Sequence, residues 1–122
     1  MATILVVEDD KNQRHLYESE LKEEGYRVVL AKDGKEAIRK VHDGDIDLVV
    51  LDIRMPGIDG VETLGKILSV NKRIPVILHT AFLSYKENFM TWAADKYIVK
   101  SSDLTELKQS IKELLEKVSG KN

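Results

Sequence analysis

Residues 48–60 read LVVLDIRMPGIDG, and this stretch decides the fold. Its first four residues form a continuous apolar run, which is typical of a strand that is covered on both faces in a parallel sheet. Asp52 follows at the strand's carboxyl end, and Met-Pro-Gly then turns the chain, since proline fixes φ and glycine tolerates positive φ. Ligands bind at this edge of open α/β sheets. Asp52 is therefore either a structural cap or a reactive group.

Strand-like and helical segments alternate along the whole chain, which predicts βαβ crossovers and a parallel sheet with helices on both faces. We predict an α/β fold with a doubly wound five-stranded parallel sheet in the order 2-1-3-4-5. Five helices are expected. The fourth is expected to be short or irregular, because FLSYKENFMTWAADK is a poor amphipathic helix. The predicted strands are Thr3–Val7, Arg27–Ala31, Ile46–Leu51, Pro75–His79 and Tyr97–Val99.

Composition restricts the possible functions of the chain. Its 122 residues are 43% hydrophobic and 33% charged, which suits a single domain over residues 1–122. Cysteine is absent, so disulfides and thiolate metal sites are excluded and a cytoplasmic protein is expected. No apolar run approaches the ~20 residues that cross a bilayer. The net charge of -2 provides no basic field. We therefore expect neither a membrane nor a nucleic acid as a direct partner.

Several aspartates have a simple structural explanation. An aspartate followed three residues later by Glu or Gln is typical of a helix start, where the pair satisfies free backbone N–H groups. The predicted pairs are Asp10 with Gln13, Asp33 with Glu36, Asp59 with Glu62, and Asp103 with Glu106. The acids that these caps leave unexplained include Glu8, Asp9 and Asp52.

Glu8 and Asp9 follow the first strand as Asp52 follows the third. If these strands are neighbours, three carboxylates converge at one edge of the sheet. Such a cluster needs a cation to remain ionised, and oxygen ligands without Cys or a nearby His favour Mg²⁺, which commonly also binds a phosphate oxygen. The alternative is that Glu8 and Asp9 only cap the first helix.

Two further side chains are expected at the same edge. Thr80 ends the fourth strand and Lys100 ends the fifth, so a hydroxyl and an ammonium would face the acids and could bind the oxygens of a phosphoryl group. Taken singly, each is more simply a turn or loop residue. The inference depends on five such residues coinciding at one edge.

The motifs ILVVEDD (4–10), LDIRMPGIDG (51–60), ILHTA (77–81) and YIVK (97–100) occur in this order. With them the chain resembles the receiver domain of two-component response regulators, which has a flavodoxin-like fold and includes the chemotaxis regulators. The resemblance covers essentially the whole chain. It implies that Asp52 is the phosphoacceptor. Glu8 and Asp9 would hold Mg²⁺ (or Mn²⁺) together with Asp52 and the backbone carbonyl of Arg54. It also implies that Thr80 and Lys100 bind the phosphoryl group, and that Thr80 and Tyr97 form the switch.

The resemblance further implies a signalling phosphoacceptor rather than an enzyme. The phosphoryl group would come from a phosphohistidine of a sensor histidine kinase or of a histidine phosphotransfer protein. The domain would assist its own phosphorylation and dephosphorylation. The expected readers are a downstream effector protein or a missing output domain, and the expected state is a monomer or a weak phosphorylation-dependent dimer.

Two alternatives stay open at this point. An aspartate-nucleophile phosphohydrolase would also use Asp, Mg²⁺ and Lys, but that class normally has D-x-D, and Arg54 stands at the second position. A degenerate receiver would bind partners without phosphorylation. It is supported only by the irregular fourth helix and by Ser101, which stands where the family usually has proline, commonly after a cis bond. Without proline we expect a trans bond or a locally altered loop, because a cis bond would be costly.

Overall fold

The computed structural model describes residues 1–52, 60–81, 94–101 and 103–119. The elements in chain order are β1 Thr3–Val7, α1 Lys11–Glu23, β2 Arg27–Ala31, α2 Gly34–Asp43, β3 Leu48–Leu51, α3 Gly60–Val70, β4 Val76–Thr80, β5 Lys96–Val99 and α4 Thr105–Ser119. All five predicted strands are present. The first two have the predicted bounds, and the other three differ by one or two residues at their ends.

The five strands form one parallel sheet in the order β2-β1-β3-β4-β5, which confirms the predicted doubly wound topology. In the register of the strands, Val7 lies beside both Ala31 and Leu51, and Thr80 lies beside Val99. All the strands therefore end at the same edge of the sheet. This is the edge at which the sequence predicts the site.

The core lies on both faces of the sheet, which explains the continuous apolar runs of the central strands. One face packs against α2 and α3, and the other against α1 and α4; we call them the α2/α3 face and the α1/α4 face. The helix residues buried on the first face are Ala37, Val41, Leu64 and Ile67, and those on the second include Tyr17, Leu21, Leu107 and Ile111. Burying such faces supplies most of the driving force for folding.

Two aspartates fix the amino-terminal edge of the sheet. Asp47 Oδ2 accepts a hydrogen bond from the Thr3 backbone N–H at 2.7 Å. Asp95 Oδ2 accepts one from the Val76 backbone N–H at 2.9 Å. Each of these N–H groups belongs to the first residue of its strand. The Asp47 backbone N–H in turn donates to the Thr3 carbonyl at 2.8 Å, so Asp47 is tied to β1 just before β3 begins at Leu48.

The helix starts agree in part with the predicted caps. Asp10 accepts from the Gln13 backbone N–H at 3.1 Å, and Asp33 from that of Glu36 at 2.9 Å. Asp103 differs: its carboxylate bonds the backbone N–H and the hydroxyl of Thr105, not Glu106, because α4 begins at Thr105. The predicted cap at Asp59 lies outside the described residues.

The described residues contain four helices. The segment predicted as a short or irregular fourth helix is residues 82–96, of which residues 82–93 lie outside the described part of the chain and Lys96 begins β5. In that described part, no helix combines the length and the apolar character needed to span a membrane.

Candidate functional site

Backbone hydrogen bonds continue the sheet just beyond its strands and set two acids side by side. The Glu8 N–H donates to the Ala31 carbonyl at 3.0 Å, and the Asp52 N–H donates to the Val7 carbonyl at 3.1 Å. Glu8 is only 2% exposed and Asp52 is 8% exposed. These two carboxyl groups are thus held on rigid backbone and are largely removed from water.

The three acids singled out from the sequence form one cluster. One carboxylate oxygen each from Glu8, Asp9 and Asp52 lies within 4.8 Å of the other two. Glu8 and Asp52 are buried, whereas Asp9 is exposed at the rim. The predicted convergence of these carboxylates is confirmed. The cluster opens to solvent on the side of Asp9.

Lys100 joins the cluster from the end of β5. Its Nζ lies 2.9 Å from Glu8 Oε1 and 2.9 Å from Asp52 Oδ2. The lysine side chain is 14% exposed. Its backbone N–H donates to the Thr80 carbonyl at 2.7 Å, which ties the ends of β4 and β5 together. A single ammonium therefore bridges two buried carboxyl groups.

The charges in this cluster are strongly coupled. The pKa of Glu8 is raised from its ordinary 4.5 to about 8: burial raises it most, the neighbouring Asp52 also raises it, and Lys100 opposes the change. For Lys100, burial lowers the pKa, but the hydrogen bonds to Glu8 and Asp52 outweigh burial and the pKa rises overall. Without a metal, the cluster therefore favours a proton on Glu8 beside a charged Lys100.

The donor set fits a hard divalent cation. Among the described residues, Glu8 Oε2 is a buried oxygen without a hydrogen-bond partner. A buried carboxylate oxygen in this situation needs a proton or a cation, because burying an uncompensated polar atom is costly. The cluster offers oxygen ligands alone, which suit Mg²⁺ or Mn²⁺ better than zinc.

The remaining predicted residues lie as follows. Thr80 is fully buried at the end of β4, at the same edge as the cluster. Tyr97 is half-buried on β5 beside Leu78 and packs on the α2/α3 face. The bond between Lys100 and Ser101 is trans, as expected. Arg54, predicted to offer its backbone carbonyl to the metal, lies outside the described residues.

Two features near the site were not identified from the sequence. Arg14 Nη1 donates to the backbone carbonyls of Glu8 and Asp9. In the core of the α1/α4 face, the Tyr17 hydroxyl lies 2.6 Å from His79 Nδ1. Burial lowers the pKa of His79 to about 4, so the ring is neutral at pH 7, and burial also raises the pKa of Tyr17. The sequence offered a weak signal for each: a basic residue one turn into α1, and a histidine in an otherwise apolar strand.

We expect Tyr17→Phe to lower the free energy of unfolding by about 1–3 kcal/mol at pH 7, because the buried His79 ring loses its hydrogen-bond partner. Urea unfolding followed by circular dichroism measures this change. Tyr26→Phe is the matched control, since it removes a hydroxyl from a less buried ring and should change stability less. Equal losses for the two variants would contradict a special contribution from the bond between Tyr17 and His79.

The acidic cluster and the lysine lie at the carboxyl edge of a doubly wound parallel sheet, where domains with such a sheet bind their ligands. The chain belongs to the response regulator receiver domain family, whose family model matches residues 4–112.

Solved structures and curated relatives agree with this assignment. The chain is 47% identical to the response regulator TrrA from Thermotoga maritima, solved in complex with Mg²⁺-BeF, over 93% of this chain and 99% of that chain, with a TM-score of 0.91. A second structure, of TrrA in complex with the histidine kinase ThkA, is 48% identical in sequence and has a TM-score of 0.89. This match covers 94% of the present chain and 99% of TrrA. The transcriptional regulatory protein ZraR of Klebsiella oxytoca is 40% identical over 92% of this chain. The chain spans only 26% of the length of that relative.

Proposed function

We propose that the chain is the phosphoacceptor of a two-component pathway, and that Asp52 receives a phosphoryl group in a Mg²⁺-dependent reaction. The observation that carries this proposal is the ammonium of Lys100 at 2.9 Å from both Glu8 and Asp52, beside the three-carboxylate cluster. This arrangement supplies an oxygen nucleophile, a cation and a set of metal ligands within one small volume.

The acids have different roles in this proposal. Glu8, Asp9 and Asp52 hold Mg²⁺ (or Mn²⁺), with the backbone carbonyl of Arg54 as a further ligand. When bound, the ion neutralises charge on the carboxylates and on the incoming phosphoryl oxygens. Asp9 lies at the exposed rim and is accessible from solvent, whereas Glu8 is buried and orients the cluster through Lys100.

The transfer itself needs little covalent chemistry from the protein. An oxygen of Asp52 attacks the phosphorus of a phosphohistidine as the phosphorus–nitrogen bond breaks, and the electron pair of that bond remains on the imidazole nitrogen. Lys100 then hydrogen-bonds a phosphoryl oxygen. Water later attacks the phosphorus, the bond between phosphorus and the Asp52 oxygen breaks, and inorganic phosphate leaves as the carboxylate is restored. In this sense the domain assists its own phosphorylation and dephosphorylation, but it acts as a signalling protein rather than as an enzyme with turnover.

Thr80 and Tyr97 form the switch in this proposal. Thr80 ends β4 at the site edge, and the Lys100 N–H is bonded to its carbonyl, so β4 and β5 respond together to a new charge at Asp52. Tyr97 lies on β5 beside Leu78. A phosphoryl group can shift only an equilibrium between states that differ by a few kcal/mol, so an active-like population exists before phosphorylation.

The phosphodonor is a sensor histidine kinase or a histidine phosphotransfer protein in the cytoplasm. Support comes from the relative TrrA, which was solved in complex with a histidine kinase. The partner that reads the signal is a downstream effector protein or an output domain. The protein is monomeric, or forms a weak dimer when phosphorylated.

Incubation with phosphoramidate tests the proposal directly. We expect wild type with Mg²⁺ to gain the mass of one phosphoryl group, and Asp52→Asn to gain none, because the amide is a poor nucleophile. Intact-protein mass spectrometry measures both. Asp43→Asn is the control, since Asp43 is an exposed aspartate on α2 and its loss should leave the adduct unchanged.

The mass measurement, together with an assay of phosphate release from phosphoesters, separates the alternatives. Rapid release of phosphate from many phosphoesters, without a lasting adduct, would instead indicate a phosphohydrolase. A folded wild type that gains no mass would indicate a receiver that binds partners without phosphorylation.

A further inference from the structure

The short loop between β1 and α1 carries three consecutive acids. Its two ends are fixed: the Glu8 N–H donates to Ala31 on β2, and the Asp10 carboxylate caps α1 through the Gln13 N–H. Asp9 lies between these points, and its side chain is exposed. The direction of the Asp9 carboxylate therefore depends on what holds the backbone in the middle of the loop.

Arg14 supplies that hold. Its Nη1 donates to the Glu8 carbonyl at 2.8 Å and to the Asp9 carbonyl at 2.8 Å. The residue is itself fixed one turn into α1, because its N–H donates to the Asp10 carbonyl at 2.9 Å. Hydrogen bonds from a guanidinium are charge-assisted and stronger than neutral ones. One side chain thus clamps the backbone of two proposed metal ligands.

We propose that Arg14 is a positioning residue for the metal site, an inference that rests on the proposed function. It fixes the peptide planes of Glu8 and Asp9, and so the directions in which their carboxylates leave the backbone. Mg²⁺ requires near-ideal octahedral geometry, so a small displacement of a ligand is costly. Groups that orient metal ligands typically contribute 10- to 100-fold to metal affinity.

The charge of Arg14 has the opposite effect, which makes the role testable. A fixed cation close to the site repels Mg²⁺. If Arg14 acted only through its charge, its removal would tighten Mg²⁺ binding. If it positions the loop, its removal weakens binding although a repulsive charge has been lost. The two explanations therefore predict changes of opposite sign.

Isothermal titration calorimetry, in which the full chain is titrated with MgCl₂ alone, distinguishes these explanations. We expect Arg14→Met, which keeps an apolar stem of similar length, to weaken Mg²⁺ binding by about 10- to 100-fold. Arg14→Lys should fall between this variant and wild type, since an ammonium can still donate to a carbonyl but lacks the planar fork. Arg39→Met removes the same charge from an exposed position on α2 and should leave the affinity within about twofold of wild type.

Urea unfolding in EDTA identifies variants that are folded at the titration temperature, so a loss of affinity is not confused with a loss of structure. Unchanged or tighter binding by Arg14→Met would overturn the role of Arg14 and leave the metal site standing. Wild type that binds no Mg²⁺ would overturn the metal site itself, and the role of Arg14 with it.

Discussion

Lys100→Met is expected to slow the phosphorylation of Asp52 by about 10²-fold or more, and at the same time to tighten the binding of Mg²⁺. The ammonium lies 2.9 Å from one oxygen each of Glu8 and Asp52, so it is placed to stabilise charge on a phosphoryl oxygen. Removing one such preorganised donor typically costs 10²–10³ in rate. The same ammonium competes with a metal for the carboxylates, so its loss leaves a more negative site.

Two measurements on the same variant check this expectation. The rate of phosphoramidate-dependent mass gain reports phosphorylation, and calorimetric titration with MgCl₂ reports affinity. Lys96→Met is the matched control, because Lys96 is exposed on the same strand and should change neither quantity appreciably. Parallel losses of rate and of Mg²⁺ affinity in Lys100→Met would contradict the competition between ammonium and metal.

Glu8→Gln is expected to stabilise the metal-free protein at pH 8 and to have little effect near pH 5. The pKa of Glu8 is about 8 in the folded chain and near 4.5 when exposed, so the folded state holds an extra proton between these values. The stability that this proton contributes to wild type is therefore fully present below pH 4.5 and is lost as the pH rises through 8. The loss is at most on the order of 5 kcal/mol, since one pKa unit corresponds to about 1.4 kcal/mol. The amide of Glu8→Gln has no proton to lose in this pH range, so the variant does not lose this stability.

Urea unfolding in EDTA at several pH values between 5 and 8 measures the difference between the two proteins. His79, with its pKa lowered to about 4, destabilises the fold as the pH falls below 6.5, but it does so in both proteins and cancels. Glu106→Gln is the control, because Glu106 is exposed on α4. Added Mg²⁺ should stabilise wild type more than Glu8→Gln at pH 8. A difference that does not vary with pH would refute the raised pKa.

Much of the fold could be predicted because the central strands are covered on both faces. Full burial makes them continuous apolar runs, as at Leu48–Leu51, and such runs end where the backbone leaves the core. The residue that follows each run is then set at the carboxyl edge by the parallel topology alone. This is why the sequence alone predicts that Glu8, Asp52 and Lys100 lie together, as they do.

Contacts that depend on side-chain reach could not be predicted in the same way. Arg14 bonds to backbone carbonyls, which every residue possesses, so its sequence position does not reveal the partner. The pair of Tyr17 and His79 is separated by 62 positions and follows only from how α1 packs on β4. Asp103 bonds Thr105 because α4 begins one residue after Leu104, and helix ends are poorly determined by pattern.

The aspartates at the two ends of the strands have different roles, one structural and the other in the proposed phosphoryl chemistry. Asp47 and Asp95 complete the backbone ladder where β1 and β4 begin, whereas Asp52 lies where β3 has ended. A strand of five residues spans roughly 16 Å, and substitutions that far apart are usually additive. Protein engineers can therefore adjust thermal stability through Asp47 and Asp95 and signalling chemistry through the edge that carries Asp52. The two kinds of change can be combined with little mutual interference.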